Sequence, residues 1–218
     1  AASMVLPPCS YNRQLAGFTT ATVGWVLVTT SMGLVEWRVW HTENSPLFPS
    51  SVVCVGMWKM CIYQHVSNTN RVALCQPYTY RDTYLPLDIR ISQNLLLVAS
   101  ILGLLGRASV IFALRNLYIR TLQKNAAFGP FVASGILNIA AGVCVSITVV
   151  WNYQSVGREE GIAFPPSLSI PFKPETQELG GAVLVACLGG IMMLLSGLVF
   201  ISYKHPIFHQ VHPRTSGI

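Results

Sequence analysis

Charge is what this sequence has least of. Only 10% of its 218 residues are Asp, Glu, Lys or Arg, against 52% hydrophobic. A soluble domain carries about 25% charged residues, so this chain is too poor in charge to cover a water-facing surface. The constellations of an active site are missing too. There is no C-x-x-C pair, no phosphate-cradling glycine loop and no spaced set of metal ligands, and neither His41 nor His65 has a nucleophile beside it. No enzymatic role, cofactor or metal is expected. The loops also lack an N-x-Ser/Thr acceptor, because Asn44-Ser45 is followed by Pro46. A net charge of +6 would suit nucleic acid, but the placement of the charges excludes that reading.

Long uncharged runs are what the chain has instead. A hydrocarbon core of about 30 Å is crossed by about 20 helical residues. No charge falls between Gln14 and Val35, between Asn125 and Gly157, or between Leu179 and Tyr203. A fourth run, Leu95 to Leu114, is interrupted by Arg107. The first run is longer than a signal-peptide core and is read as a span. The fold class is an α-helical membrane protein. It divides into an N-terminal tail (1–14), a first span (15–35), a first loop (36–92), a second span (93–114), a connection (115–128), a third span (129–152), a second loop (153–178), a fourth span (179–203) and a C-terminal tail (204–218).

The charges give these spans a direction. Arg13 lies in the N-terminal tail, Arg115, Arg120 and Lys124 lie in the connection, and Lys204 and Arg214 lie in the C-terminal tail. None of these pieces holds an acid. All 8 acids, from Glu36 to Glu178, fall on the other side. Short cytoplasmic segments carry the Lys and Arg excess, so both termini are expected in the cytoplasm and both loops outside the plasma membrane.

The first loop has strand chemistry. Val52–Tyr63 and Arg71–Tyr80 are rich in β-branched and aromatic residues, and the polar stretch His65 to Asn70 separates them. Cys61 and Cys75 are equidistant from Asn68. Residues so placed face each other across a hairpin, which predicts a Cys61–Cys75 disulfide. Closing a loop of this length stabilises the fold by about 3 kcal/mol on the chain-entropy model. Read along one unbroken strand, Cys54 points to the face opposite Cys61. It is then either a buried free thiol or the source of an intermolecular disulfide.

Trp37, then Gly56-Met57-Trp58, then Cys61 and Cys75, resembles the signature of the claudin family. There a Trp precedes Gly-Leu-Trp, Cys and Cys in the first extracellular segment. Glu36-Trp37-Arg38, Leu85-Pro86-Leu87-Asp88 and Glu178-Leu179-Gly180 resemble the family's helix boundaries. The resemblance covers nearly the whole chain. It implies a left-handed bundle of four transmembrane helices. The bundle would hold a small extracellular antiparallel sheet, drawn from the first loop and part of the second. It also implies a tight-junction protein that forms strands and a paracellular barrier through cis and trans contacts. Its partners would be itself, other claudins and membrane lipid. Relatives sharing the Trp-Cys-Cys loop serve as auxiliary subunits of ion channels or receptors, which is the alternative reading. Tetraspanins place the larger loop second, and connexin-like channels need cysteines in the second loop, where this chain has none.

The departures from the family pattern carry information. Gln93 stands where the family has an Arg at the start of the second helix. Gln76, after the second Cys, is uncharged where pore-formers often carry a charge, which favours a barrier or a purely adhesive role. Arg115-Asn116 and Tyr203-Lys204 replace the cysteines that are often palmitoylated. In the second loop Phe164 and Leu168 are the expected trans contacts, with simple packing on the sheet as the alternative for Phe164, on a stretch stiffened by Pro165-Pro166. Trp58 is expected at the membrane rim or in the loop core. Arg107 either snorkels toward the cytoplasmic edge or has a role in helix pairing or regulation. Ala182, Ala186 and Gly190, at steps of four, suit close packing inside the bundle. The tail histidines, His205, His209 and His212, are interrupted by prolines and are not read as a metal site. Ser216-Gly217-Ile218 suits strand addition to a PDZ scaffold protein.

Overall fold

The computed structural model describes residues 8–42, 51–66, 69–79, 82, 84–119, 125–168 and 170–202. Four helices are present: α1 (Pro8–Gly33), α2 (Leu87–Ile119), α3 (Asn125–Gly157) and α4 (Gly181–Ile201). All four are long and apolar enough to cross a membrane. α2 and α3 have 33 residues each, a length of about 50 Å at 1.5 Å per residue, so both outrun the hydrocarbon core. The outward faces of α2, α3 and α4 expose Ile101, Leu104, Ile136, Val150, Leu184 and Leu188. Such a surface suits lipid, whose chains are as apolar as Leu.

Lipid provides no hydrophobic drive to bring helices together, so close backbone packing has to. A Cβ added at Gly189 of α4 would stand 2.8 Å from the Gly24 carbonyl oxygen of α1, and one at Gly197 would stand 2.8 Å from that of Gly135 in α3. Ala182, Ala186 and Gly190 are buried along the same helix. The small-residue stripe therefore faces the bundle interior.

One end of the bundle carries a five-stranded sheet in the order β4-β3-β2-β1-β5, every pair antiparallel. Its strands are β1 (Arg38–Thr42), β2 (Ser51–Val55), β3 (Lys59–Val66), β4 (Thr69–Pro77) and β5 (Thr176–Leu179). β5 comes from the second loop and pairs with β1 from Arg38↔Leu179 to His41↔Thr176. The inner face, with Trp40, Val53, Val55, Met60 and Ile62, joins the core between sheet and helices.

The expected strand Val52–Tyr63 is in fact two strands. Gly56 donates its N–H to the Lys59 carbonyl at 3.0 Å and closes a hairpin around Met57-Trp58. β-branched residues on both sides of this turn masked it in the sequence. The correction moves Cys54. It pairs directly with Cys61 across β2 and β3 and so shares that residue's face, rather than the opposite one.

Candidate functional site

Each signature residue has a mechanical task where the sheet meets the bundle. Trp37 is buried, and its indole Nε1 donates to the Ser31 carbonyl at 2.9 Å, tying the first strand to the end of α1. Gly56 sits where no side chain fits: a Cβ there would lie 2.8 Å from both the Lys59 oxygen and the Val35 Cα. Met57 fills the core beneath the turn. Its carbonyl accepts a hydrogen bond from Gln93 Nε2 of α2, so the residue that departs from the family's Arg still reaches the loop. Trp58 is half-buried against the same core, and its carbonyl accepts from Tyr78 N at 2.9 Å. Cys61 and Cys75 form a disulfide between β3 and β4, with Cα atoms 4.1 Å apart.

A buried polar cluster underlies the sheet. Arg38 points inward from β1, 2% exposed, and its Nη2 pairs with the Asp88 carboxylate in the first turn of α2. Its Nε donates to Asn152 Oδ1 of α3 at 2.8 Å. The Asn152 amide in turn donates to the Trp37 carbonyl. One arginine thus joins a strand to two helices. α4 is fixed by backbone contact: Gly180 N–H donates to the Trp37 carbonyl at 3.2 Å and Ala182 N–H to that of Glu36 at 3.0 Å. A Cβ on Gly180 would fall 2.0 Å from the Glu36 oxygen, so only glycine permits this approach. Sequence reasoning placed Arg38 and Asp88 at helix boundaries without joining them, and it missed Asn152. Asn152 stands at the polar end of its run, beside Tyr153, Gln154 and Ser155, where an amide carries no distinct signal.

The second loop folds back onto this site. Phe164 is half-buried, edge-on to Trp40 at 5.6 Å and beside Tyr84 at 6.2 Å between ring centres. Leu168 is buried in the core. Phe172, which the sequence reading passed over, is 59% exposed, while its carbonyl accepts from Ile162 N at 3.0 Å. Tyr84 donates to Asp82 Oδ2 at 3.1 Å. Burial, then that bond and the Asp82 charge, push the Tyr84 phenol up to about 12. Tyr78 is raised further by its deeper burial.

Arg107 lies elsewhere, inside the bundle. Its guanidinium turns inward to the carbonyls of Gly103 and Ala21 and lies over the Trp25 ring, 4.8 Å from the centroid. Of its two expected fates, this geometry is the helix pair, α1 with α2. Ser216 and Ile218 lie outside the described residues, as do the tail histidines. Among the described residues no group of His, Cys, Asp and Glu is arranged to hold a metal ion.

Comparison with known proteins gives a consistent answer. Residues 22–202 match the family model described as PMP-22/EMP/MP20/Claudin tight junction. The chain is similar to claudin-9 of Homo sapiens, 26% identical over 149 residues, which is 67% of this chain and 65% of that protein. It is similar to claudin-18 of Mus musculus, 30% identical over 115 residues, covering 51% and 41%. It is similar to claudin-19 of Homo sapiens, 26% identical over 186 residues, covering 84% and 77%. The chain thus spans just under two thirds of claudin-9 and less of claudin-18. With the family model matched from the first helix to the end of the fourth, this multi-pass membrane protein belongs to the PMP-22/EMP/MP20/Claudin family.

Proposed function

We propose that this protein works at tight junctions as a structural barrier component, joining its own copies and other claudins in cis and in trans through its two loops. The carrying observation is that both loops contribute strands to one sheet. The second loop supplies β5 to the sheet of the first, and Arg38, Asp88 and Asn152 fix that sheet to the helices. A sheet held in this way presents both loops to a neighbour as one surface. The loops face outside the cell and both termini face the cytoplasm, as the segregation of acids from the basic connection and tails supports. Membrane lipid surrounds the bundle, and a PDZ scaffold would take the Ser216–Ile218 end.

Contact with an opposing cell is assigned to the tip of the second loop. Phe164 and Leu168 shape that tip from beneath, and Phe172 is presented outward. The uncharged Gln76 favours a barrier over an ion-selective pore.

The test is freeze-fracture of cells that make no other claudin and express this chain. Strands at cell contacts are the expected result. Particles without strands, together with co-purification of a channel, would replace this reading with that of an auxiliary subunit. Epitope tags at either terminus should stain only after permeabilisation; staining of intact cells would reverse the orientation.

A further inference from the structure

Three cysteines stand in one row across the outer face of the sheet. Cys54 of β2 pairs with Cys61 of β3, and Cys61 pairs with Cys75 of β4. Only the second pair is bonded, and Cys54 is a free thiol, 5% exposed. The ladder sets the spacing of the unbonded pair. Gly56 N–H bonds the Lys59 carbonyl, so 56/59 is a hydrogen-bonded pair. Two steps along the ladder, Cys54/Cys61 is one as well. Such pairs have Cα atoms about 5.5 Å apart, within the roughly 4.4–6.8 Å that a disulfide spans. Because the ladder alternates on a central strand, Cys61/Cys75 is the close, non-hydrogen-bonded type, in keeping with its 4.1 Å. Cys54 and Cys75 therefore stand opposite Cys61 on the two strands that border β3, and displacement at the Cys61 sulfur passes the bond from one neighbouring strand to the other.

We propose that these residues form a disulfide-exchange site that turns Cys75 into a thiol-modification site. The Cys54 thiol loses its proton, and the thiolate attacks Cys61 Sγ. The Cys54–Cys61 bond forms, the Cys61–Cys75 bond breaks, and Cys75 leaves as a thiolate that takes up a proton. One disulfide and one thiol exist before and after, so no oxidant or reductant is consumed. The outcome differs in position. The free thiol moves from a buried site to an exposed one on the sheet's edge strand, open to small disulfides and other soft electrophiles. Burial, then the Glu36 charge, pushes the Cys54 thiol up to about 11, which keeps the exchange slow at neutral pH. Its rate follows the thiolate fraction and should rise about tenfold per pH unit. The inference needs only the sheet and its disulfide, and does not depend on a junctional role.

The test uses the full chain in detergent micelles, held with iodoacetamide from pH 7 to pH 9, then acid-quenched and mapped by peptide mass spectrometry without reduction. The expected product has alkylated Cys75 and a Cys54–Cys61 linkage, about 100-fold faster at pH 9 than at pH 7. Alkylated Cys54 with Cys61–Cys75 intact overturns the proposal, and so does the absence of any alkylated loop cysteine. Cys75→Ser, treated with oxidised glutathione as the disulfide that accepts the two electrons, should form the Cys54–Cys61 bond; a monodisperse variant with both thiols free after that treatment would also overturn it. If that variant aggregates, the result on the parent chain stands and decides.

Discussion

Among the described residues two arginines are buried, in two different ways. Arg38, at the sheet end, meets a carboxylate and a side-chain amide. Arg107, within the bundle, is 7% exposed and meets two backbone carbonyls and an indole face. Among the described residues no carboxylate forms a salt bridge with it. The first site is a joint between elements far apart in sequence. The second is a clamp between neighbouring helices. A buried ion pair is sensitive to loss of either member, because the survivor is left charged and dry. A cation held by dipoles has no single partner to lose, and its own charge is the larger cost.

The contrast predicts a steep effect at the joint. Asp88→Ala should strip Arg38 of its counter-charge and destabilise the protein by about 3–5 kcal/mol, the scale for breaking a buried pair. Thermal unfolding in micelles, alongside surface delivery in cells, would measure it. The double variant Arg38→Met with Asp88→Leu should be milder than Asp88→Ala, since it leaves no unpaired charge. If the double variant were the worse of the two, the joint would owe its strength to shape rather than to charge. A smaller loss is expected from Gln93→Leu. It leaves the Met57 carbonyl without its α2 donor, at a cost of about 1–3 kcal/mol for a buried unsatisfied acceptor. Gln93→Arg should recover most of that loss by restoring a donor.

How far the sequence foretells this architecture depends on the range of each interaction. Absence of charge over about 20 residues is a local signal, so the four helices are readable, and Arg107 only blurs one of them. The Cys61–Cys75 bond is readable as well, because a hairpin spaces its partners symmetrically. The turn at Gly56-Met57-Trp58 is hidden, because strand-forming residues on both sides continue the pattern of a single strand. The joint is hidden for another reason. Arg38 lies 50 residues from Asp88 and 114 from Asn152, and no periodicity links them. Phe164 shows the limit from the other side. Its apolar character is evident in the sequence, but its place between Trp40 and Tyr84 comes from the return of the second loop to pair with β1.

The clamp should respond most weakly, and in an unusual order. Arg107→Leu removes two hydrogen bonds and the contact with Trp25. It also removes a charge that costs about 2.5–3.5 kcal/mol at the centre of a span. Hydrogen bonds to a charged group contribute about 1.5–3 kcal/mol each, so gain and loss nearly cancel and the net change should be within about 1–2 kcal/mol. Arg107→Lys keeps the charge but loses the planar fork that reaches both carbonyls and stacks on the indole. Trp25 is itself fixed, its Nε1 donating to the Ser100 carbonyl at 2.9 Å, and cannot follow a shorter cation. The conservative change should therefore be the more damaging one. Unfolding temperatures of the two variants in one detergent would decide it. A Lys variant as stable as the parent, with a Leu variant well below it, would mean that charge rather than geometry holds α1 to α2, and the distinction between joint and clamp would collapse.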